Sequence, residues 1–321
     1  MASANFRKTY FGSLGLQVVQ AKPSLETALQ GDILDIERLN KLCLWVRIPH
    51  AYRPLVWKVL LGTISLAKEV WPFVDAQREE QFQDLKQCVA VLSRPSSAIR
   101  PDDNLTASTM VYMLLIQLDT RSPHHLSQAF TPTSLPSLSH LHALANMMLE
   151  VCDTSESDAY WLFESFVLKY NVSLPGYGPA VDAERERIMT EMGALQNLLK
   201  AQNAPLLNHI LSFGKGLDAY CYSWFRTYFA NVLPPQSLEG IWDIFIGGAP
   251  GIFPYLGLSL LLACKRKIEA VRSATELVYL FTNVERVVDM DAVANTAIDL
   301  WERPVLEGMN KDLRKALGYN F

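Results

Sequence analysis

The residues able to bind a metal or carry thiol chemistry are few and poorly spaced for either task. Five cysteines, Cys43, Cys88, Cys152, Cys221 and Cys264, are odd in number and far apart. That pattern fits reduced, buried thiols and does not fit a disulfide framework or a zinc site. The histidine pairs His124-His125 and His140-x-His142 lie in or beside a stretch rich in Ser and Pro, with no Cys or carboxylate at ligand spacing. No metal and no cofactor is expected. Asn104-Leu105-Thr106 and Asn171-Val172-Ser173 match the glycosylation triplet. The N-terminal run Met1 to Lys8 has no apolar core of the kind a signal peptide needs, so the triplets are read as chance and the chain is expected in the cytosol.

The elements that must position any site are helices. Apolar residues recur at three and four spacings over 24 to 45, 50 to 61, 77 to 92, 105 to 119, 138 to 152, 156 to 170, 182 to 202, 204 to 212, 218 to 230, 236 to 246, 254 to 271, 273 to 283 and 290 to 301. Alternating strand patterns are nearly absent. Breaks fall at 95 to 103, 121 to 137, 175 to 179 and 247 to 251, where Gly and Pro end helices. With 50% hydrophobic residues in 321, the chain can bury a large core, and a single all-α domain is expected. The net charge is −4 and no basic run exceeds Lys265-Arg266-Lys267, which excludes an electrostatic footprint for nucleic acid. That triplet reads as a charge cluster at a helix C-terminus. The longest apolar run, Tyr255 to Cys264, is far short of the ~20 residues that span a membrane, so it reads as a buried helix. Beyond Trp301, Val305, Leu306, Met309, Leu313 and Leu317 suggest one more amphipathic helix.

Three ordered motifs carry more information. The first is Ile48-Pro49-x-x-x-Arg53-x-x-Val56-Trp57-x-x-Leu60-Leu61-Gly62. Proline suits a first helical turn, Gly62 can stop the helix in the left-handed region, and Arg53 and Trp57 share a face. The second is Asp158-Ala159-Tyr160-Trp161-Leu162-Phe163. The third runs Trp224-Phe225, Phe229-Ala230, Leu233-Pro234 and Ile241-Trp242-Asp243. In type and order they resemble the signature of TBC domains, the family that contains GTPase-activating proteins for Rab GTPases. The resemblance covers roughly residues 40 to 300 and implies a multi-helix TBC domain over 40 to 301. Residues 1 to 39 would pack on it and 302 to 321 would form an extension.

In that family an Arg from I-x-x-D-x-x-R and a Gln from Y-x-Q form a dual finger on the transferring phosphoryl group and its attacking water. Here the nearest segment is Ile116-Gln117-Leu118-Asp119-Thr120-Arg121-Ser122, with Ser122 at the Arg position and Arg121 one residue early. One residue is about 100° of helix rotation. Other Asp-x-x-Arg spacings, at Asp35/Arg38, Asp75/Arg78 and Asp182/Arg185, lack the preceding Ile, and no Tyr has Gln two places on. Arginine fingers contribute on the order of 10³ to 10⁵ in GTPase rate, so no catalysis is expected from the degenerate region Asp119, Arg121 and Ser122. Arg121 remains open as a displaced finger or a solvated helix-end Arg.

Within the family the resemblance is strongest to the TBC-domain subunit of the tuberous sclerosis complex. It implies hamartin, through its C-terminal coiled coil, and tuberin as partners, in a complex that activates Rheb and restrains the TOR kinase, with recruitment to lysosomal or vesicle membranes. A Rab GTPase is the alternative partner. The segment Leu105 to Asp119 is apolar on two sides, with Met110, Val111, Leu114 and Leu118 on one and Leu105, Tyr112 and Ile116 on the other. It is either a central helix covered by its own chain or the wall of a groove, and Tyr112, Met113 and Ile116 are the candidate partner contacts.

Overall fold

The computed structural model describes residues 21–92, 103–118, 135–174, 178–286 and 288–308. The first motif shows how local sequence makes the elements. Pro49 precedes a 3₁₀ turn at His50–Tyr52, and α3 (Arg53–Leu61) follows with Pro54 in its first turn, where the missing N–H is not needed. Gly62 ends it at φ 78, a left-handed conformation that a side chain would strain. Before it lie α1 (Ala21–Gln30) and α2 (Ile36–Trp45). The sequence pattern reads these as one helix, 24 to 45. Gly31 and Asp32 interrupt it, Ile33 forms an isolated antiparallel bridge with Ala67, and the Asp35 carboxylate caps α2 by accepting from the Arg38 N–H at 3.1 Å. That Asp-x-x-Arg spacing is a helix cap. Leu25, Ala28, Leu29, Leu39 and Cys43 join the main core, so the boundary drawn at 39/40 falls inside α2.

Then come α4 (Trp71–Leu92), α5 (Ala107–Leu118), α6 (Leu135–Val151) and α7 (Glu156–Lys169), with α5 packed among α4, α6 and α7. Helix α8 (Gly178–Leu211) unites two expected helices across a break at Asn203 (φ −157, ψ 73). Pro205 cannot donate to that turn, and Asn203 Oδ1 instead accepts from the Leu206 N–H at 3.2 Å. Helices α9 (Asp218–Arg226), α10 (Pro235–Ile246), α11 (Ile252–Ala263), α12 (Lys265–Ala270), α13 (Ala274–Thr282) and α14 (Met290–Gly308) complete the order. The 254 to 271 reading resolves into α11 and α12, and Lys265-Arg266-Lys267, expected at a helix C-terminus, follows α11 directly but forms the first turn of α12. Helix α14 continues through 302, so the supposed extension begins as part of an existing helix.

Apart from the Ile33 bridge, the described residues contain no strand. The chain is all-α. Among the described residues, no helix is long and apolar enough to cross a membrane. Helix α11 is buried along nearly its whole length between α8 and α14. The centre of the core is aromatic: Trp242 stacks on Phe166 at 4.7 Å and 9°, tilts against Trp57 at 5.8 Å, and meets Tyr228 edge-on at 6.5 Å. Such pairs add about 0.5–1.5 kcal/mol each beyond area burial.

Candidate functional site

The three motifs meet on one core. Arg53 leads α3, while Glu239 and Asp243 lie one turn apart on α10 and face it. Its Nε donates to Asp243 Oδ1 at 3.0 Å and its Nη2 to Asp243 Oδ2 at 3.1 Å, a two-pronged pairing. Nη1 donates to Glu239, and Nη2 also reaches the Ile48 carbonyl at 2.6 Å. Trp57, one turn along α3, donates its indole N–H to the same Asp243 Oδ1 at 2.9 Å. Burial alone would pull the guanidinium pKa down, but Asp243 and then Glu239 outweigh it and the net shift is upward. Arg53 is 1% exposed, so it is a sealed cation and cannot reach a phosphoryl group at the surface. His50 marks the outer edge of this network, with Nδ1 3.2 Å from Glu239 Oε1.

The second motif ties α7 to α3 and α4. Ser155 caps α7 by accepting from the Asp158 N–H at 3.1 Å, which leaves the Asp158 carboxylate 2.7 Å from Lys58 Nζ. Trp161 donates its indole N–H to the Arg78 carbonyl at 3.1 Å, and the Arg78 guanidinium lies 4.6 Å from the centre of the Trp161 ring. Arg78, one of the Asp-x-x-Arg arginines, is therefore laid over an aromatic face. In the third motif, Tyr228 (φ 50) and Phe229 (φ 64) are both left-handed, which stops α9 short of the expected residue 230. A left-handed pair of aromatics is costly in isolation. Here the Phe229 N–H donates to the Trp224 carbonyl at 2.7 Å, the Tyr228 carbonyl accepts the Trp242 indole N–H at 3.1 Å, and both rings are buried. Trp224 itself packs against Phe281 of α13 at 5.1 Å.

Asp119, Arg121 and Ser122 lie outside the described residues, which resume at residue 135. On the last turn of α5, Gln117 is already engaged: its Nε2 donates to Glu164 Oε1 at 2.7 Å, and its Oε1 accepts from the Tyr160 hydroxyl. Burial lifts the Glu164 carboxyl, against the opposing pull of Gln117 and Arg78.

The candidate partner contacts on α5 separate. Tyr112 and Ile116 are half-buried against the core, and burial pushes the Tyr112 phenol up. Met113 is 0% exposed, because α5 is hemmed in on the side it faces; it is a core residue and leaves the candidate set. A different surface presents itself on α4. Phe73 (70% exposed) and Val91 (76% exposed) are 18 positions apart, about five whole turns, so they point the same way about 27 Å apart. Gln77, Glu80, Asp84 and Cys88 lie between them on the same exposed stripe. The sequence reading missed it by starting this helix at 77. Trp71-Pro72 holds the signal for the earlier start, a proline in the first turn.

The described residues contain no group of three or more His, Cys, Asp or Glu able to hold a metal. His140 Nε2 is instead 2.9 Å from the Ser173 carbonyl, and burial lowers the His142 imidazole against a smaller backbone effect at Leu138.

Comparison with known proteins finds relatives of this chain and solved structures of similar fold. The family profile of the Rab-GTPase-TBC domain matches residues 139–269. TBC1 domain family member 7 of Bos taurus is 30% identical over 300 residues, covering 93% of this chain and 94% of that protein. The Homo sapiens protein of the same name matches with the same identity and coverage. The chain belongs to the TBC domain family. The Ypt/Rab-GAP domain of Gyp1p superimposes with a TM-score of 0.57 at 14% identity, over 90% of this chain and 99% of that one. The Chlamydomonas flagellar RabGAP TBC domain does so at 0.55 and 16%, over 91% and 93%. At these identities the two structures show the shared fold alone.

Proposed function

We propose that the chain is a non-catalytic TBC subunit that scaffolds a hamartin and tuberin assembly, which activates GTP hydrolysis by Rheb and restrains TOR signalling. The observation that carries this reading is the stripe on α4: two exposed apolar residues about 27 Å apart, with Glu80 and Asp84 between them. It suits a partner helix laid along α4 that carries apolar residues about five turns apart and basic residues between. The lack of an I-x-x-D-x-x-R and a Y-x-Q motif supports the absence of catalysis, as does the placement of Arg53 and Arg78 in structural roles. Any residence at lysosomal or vesicle membranes would come through the complex.

Calorimetric titration with the hamartin C-terminal coiled coil from the same organism tests this. Saturable binding is expected, lost in Phe73→Glu and retained in Tyr112→Ala. Binding that survives Phe73→Glu but fails in Ile116→Glu would return the contact to α5. No binding by the unaltered protein would overturn the scaffold reading. The family match favours one alternative, a Rab GTPase-activating protein that uses Arg121 in a non-standard geometry. GTP hydrolysis by a Rab panel, accelerated by the protein and abolished by Arg121→Ala, would establish it.

A further inference from the structure

A recessed site with no lining residue from α4 or α5 lies where four helix ends converge. Its cavity of about 230 Å³ has walls formed by Ile36 of α2, Leu60 of α3, Phe245 and Ile246 of α10, Tyr170 just past α7, and Pro250. Besides the phenol of Tyr170, its polar side chains are Asn40 and Lys169. An apolar cavity of about 150 Å³ accommodates benzene, whereas drug-sized ligands take about 300 Å³ or more, so the occupant fits between those limits.

The electrostatics narrow it further. Lys22, Lys58, Lys86 and Lys265 each have a carboxylate within 4.0 Å. Among the described residues Lys169 has none, in common with Lys41, Lys68, Lys200, Lys215 and Lys267; what sets it apart is its place on the wall of a cavity that no carboxylate lines. Its ammonium donates to the Leu60 carbonyl at 2.6 Å, which uses one of its three protons. The side chain is exposed overall, and the partial burial of its ammonium pulls its pKa down with no opposing anion. The Asn40 side-chain amide, a second donor at the same site, has no hydrogen-bond partner among the described residues. Two donors over an apolar floor, one of them a cation lacking a counter-charge, complement a carboxylate joined to a small apolar body.

We propose that this cavity is a binding site for a small aromatic or branched monocarboxylate, with Lys169 and Asn40 holding the carboxylate and the ring or chain lying against Tyr170, Phe245 and Ile246. The site is independent of the scaffold reading. Such a ligand would bridge α2, α7 and α10 at one point.

Phenylacetate, titrated into the full chain and followed by NMR chemical shifts, is the probe, with phenylacetamide as its neutral counterpart of nearly the same shape. A ligand of this size is expected to saturate at on the order of 5 mM. Phenylacetamide should bind roughly tenfold more weakly, since its bond to the ammonium lacks charge assistance. Lys169→Met, which keeps the aliphatic stem, should erase that preference. Ile36→Trp, which narrows the cavity and keeps the charge, should weaken both ligands together. Absence of saturation by about 50 mM phenylacetate, tenfold above the expected constant, would overturn the proposal. So would equal binding of acid and amide by the unaltered protein, a comparison that does not depend on any variant folding.

Discussion

Helices α10 and α4 belong to the same core yet are built on opposite terms. Of the 12 residues of α10, eight are buried, including Glu239 and Asp243. Of the 22 in α4, three are buried: Phe82, Lys86 and Val89. Helix α10 places charge inside because Arg53 meets it there, and a buried ion pair with satisfied hydrogen bonds is tolerated where a lone charge is not. Helix α4 buries one charge as well, Lys86 against Glu156 at 2.9 Å, but it also places apolar groups outside, with nothing in the described chain covering Phe73 or Val91. The difference separates two placements of unusual residues: charge in the core fixes how motifs far apart in sequence meet, and on α4 two apolar side chains stand in solvent about five turns apart with polar residues between.

The comparison can be broken at its stable end first. Trp242→Ala removes the largest buried ring of α10, its stacking on Phe166 and its bond to the Tyr228 carbonyl, and should destabilise the fold by roughly 5 kcal/mol, the upper part of the range for such truncations. Denaturant unfolding reads this directly. Asp243→Ala should cost about 4 kcal/mol, because it strands Arg53 as a buried cation with fewer partners and leaves the Trp57 indole N–H without its acceptor.

Glu191 supplies a pH-dependent version of the same contrast. Burial, only partly offset by Arg187, lifts its carboxyl from 4.5 to about 7. The folded protein then holds a proton that the unfolded chain releases above its lower pKa. The associated stabilisation is full below about 4.5 and is lost as pH rises through 7, on the order of 3 to 4 kcal/mol at about 1.4 kcal/mol per pH unit. Unfolding free energies measured at pH 5 and pH 8 should therefore differ less in Glu191→Gln than in the unaltered protein. At the other end of the scale, Phe73→Glu on α4 should change stability by less than about 0.5 kcal/mol, since an exposed position away from the core tolerates substitution. A loss near 2 kcal/mol there would mean that the ring is covered in the free protein.

The fold was legible because helical periodicity is strong wherever a helix has a buried stripe. Legibility failed at points where one residue, and not the pattern, decides. Gly31 and Asp32 divide α1 from α2, and a left-handed Tyr228 stops α9, although tyrosine carries no signal for that conformation. At the site level, the Arg53, Trp57 and Asp243 spacing was visible, but its meaning as a single buried cluster depends on residues 190 positions apart meeting. Met113 misled because apolar content on two sides of α5 cannot distinguish a groove from a helix enclosed by its own neighbours. The α4 stripe was missed for the opposite reason: an exposed face with acids at its middle resembles any solvated helix until the register of Phe73 and Val91 is known.

The 190-position span between Arg53 and Asp243 also sets a schedule for the nascent chain. At about 5–20 residues per second, a ribosome needs roughly 10 to 40 s to make the partner of an arginine it has already released. Throughout that interval α3 can neither bury Arg53 nor settle Trp57, and the first motif must wait in water, or in the care of a chaperone, for the last.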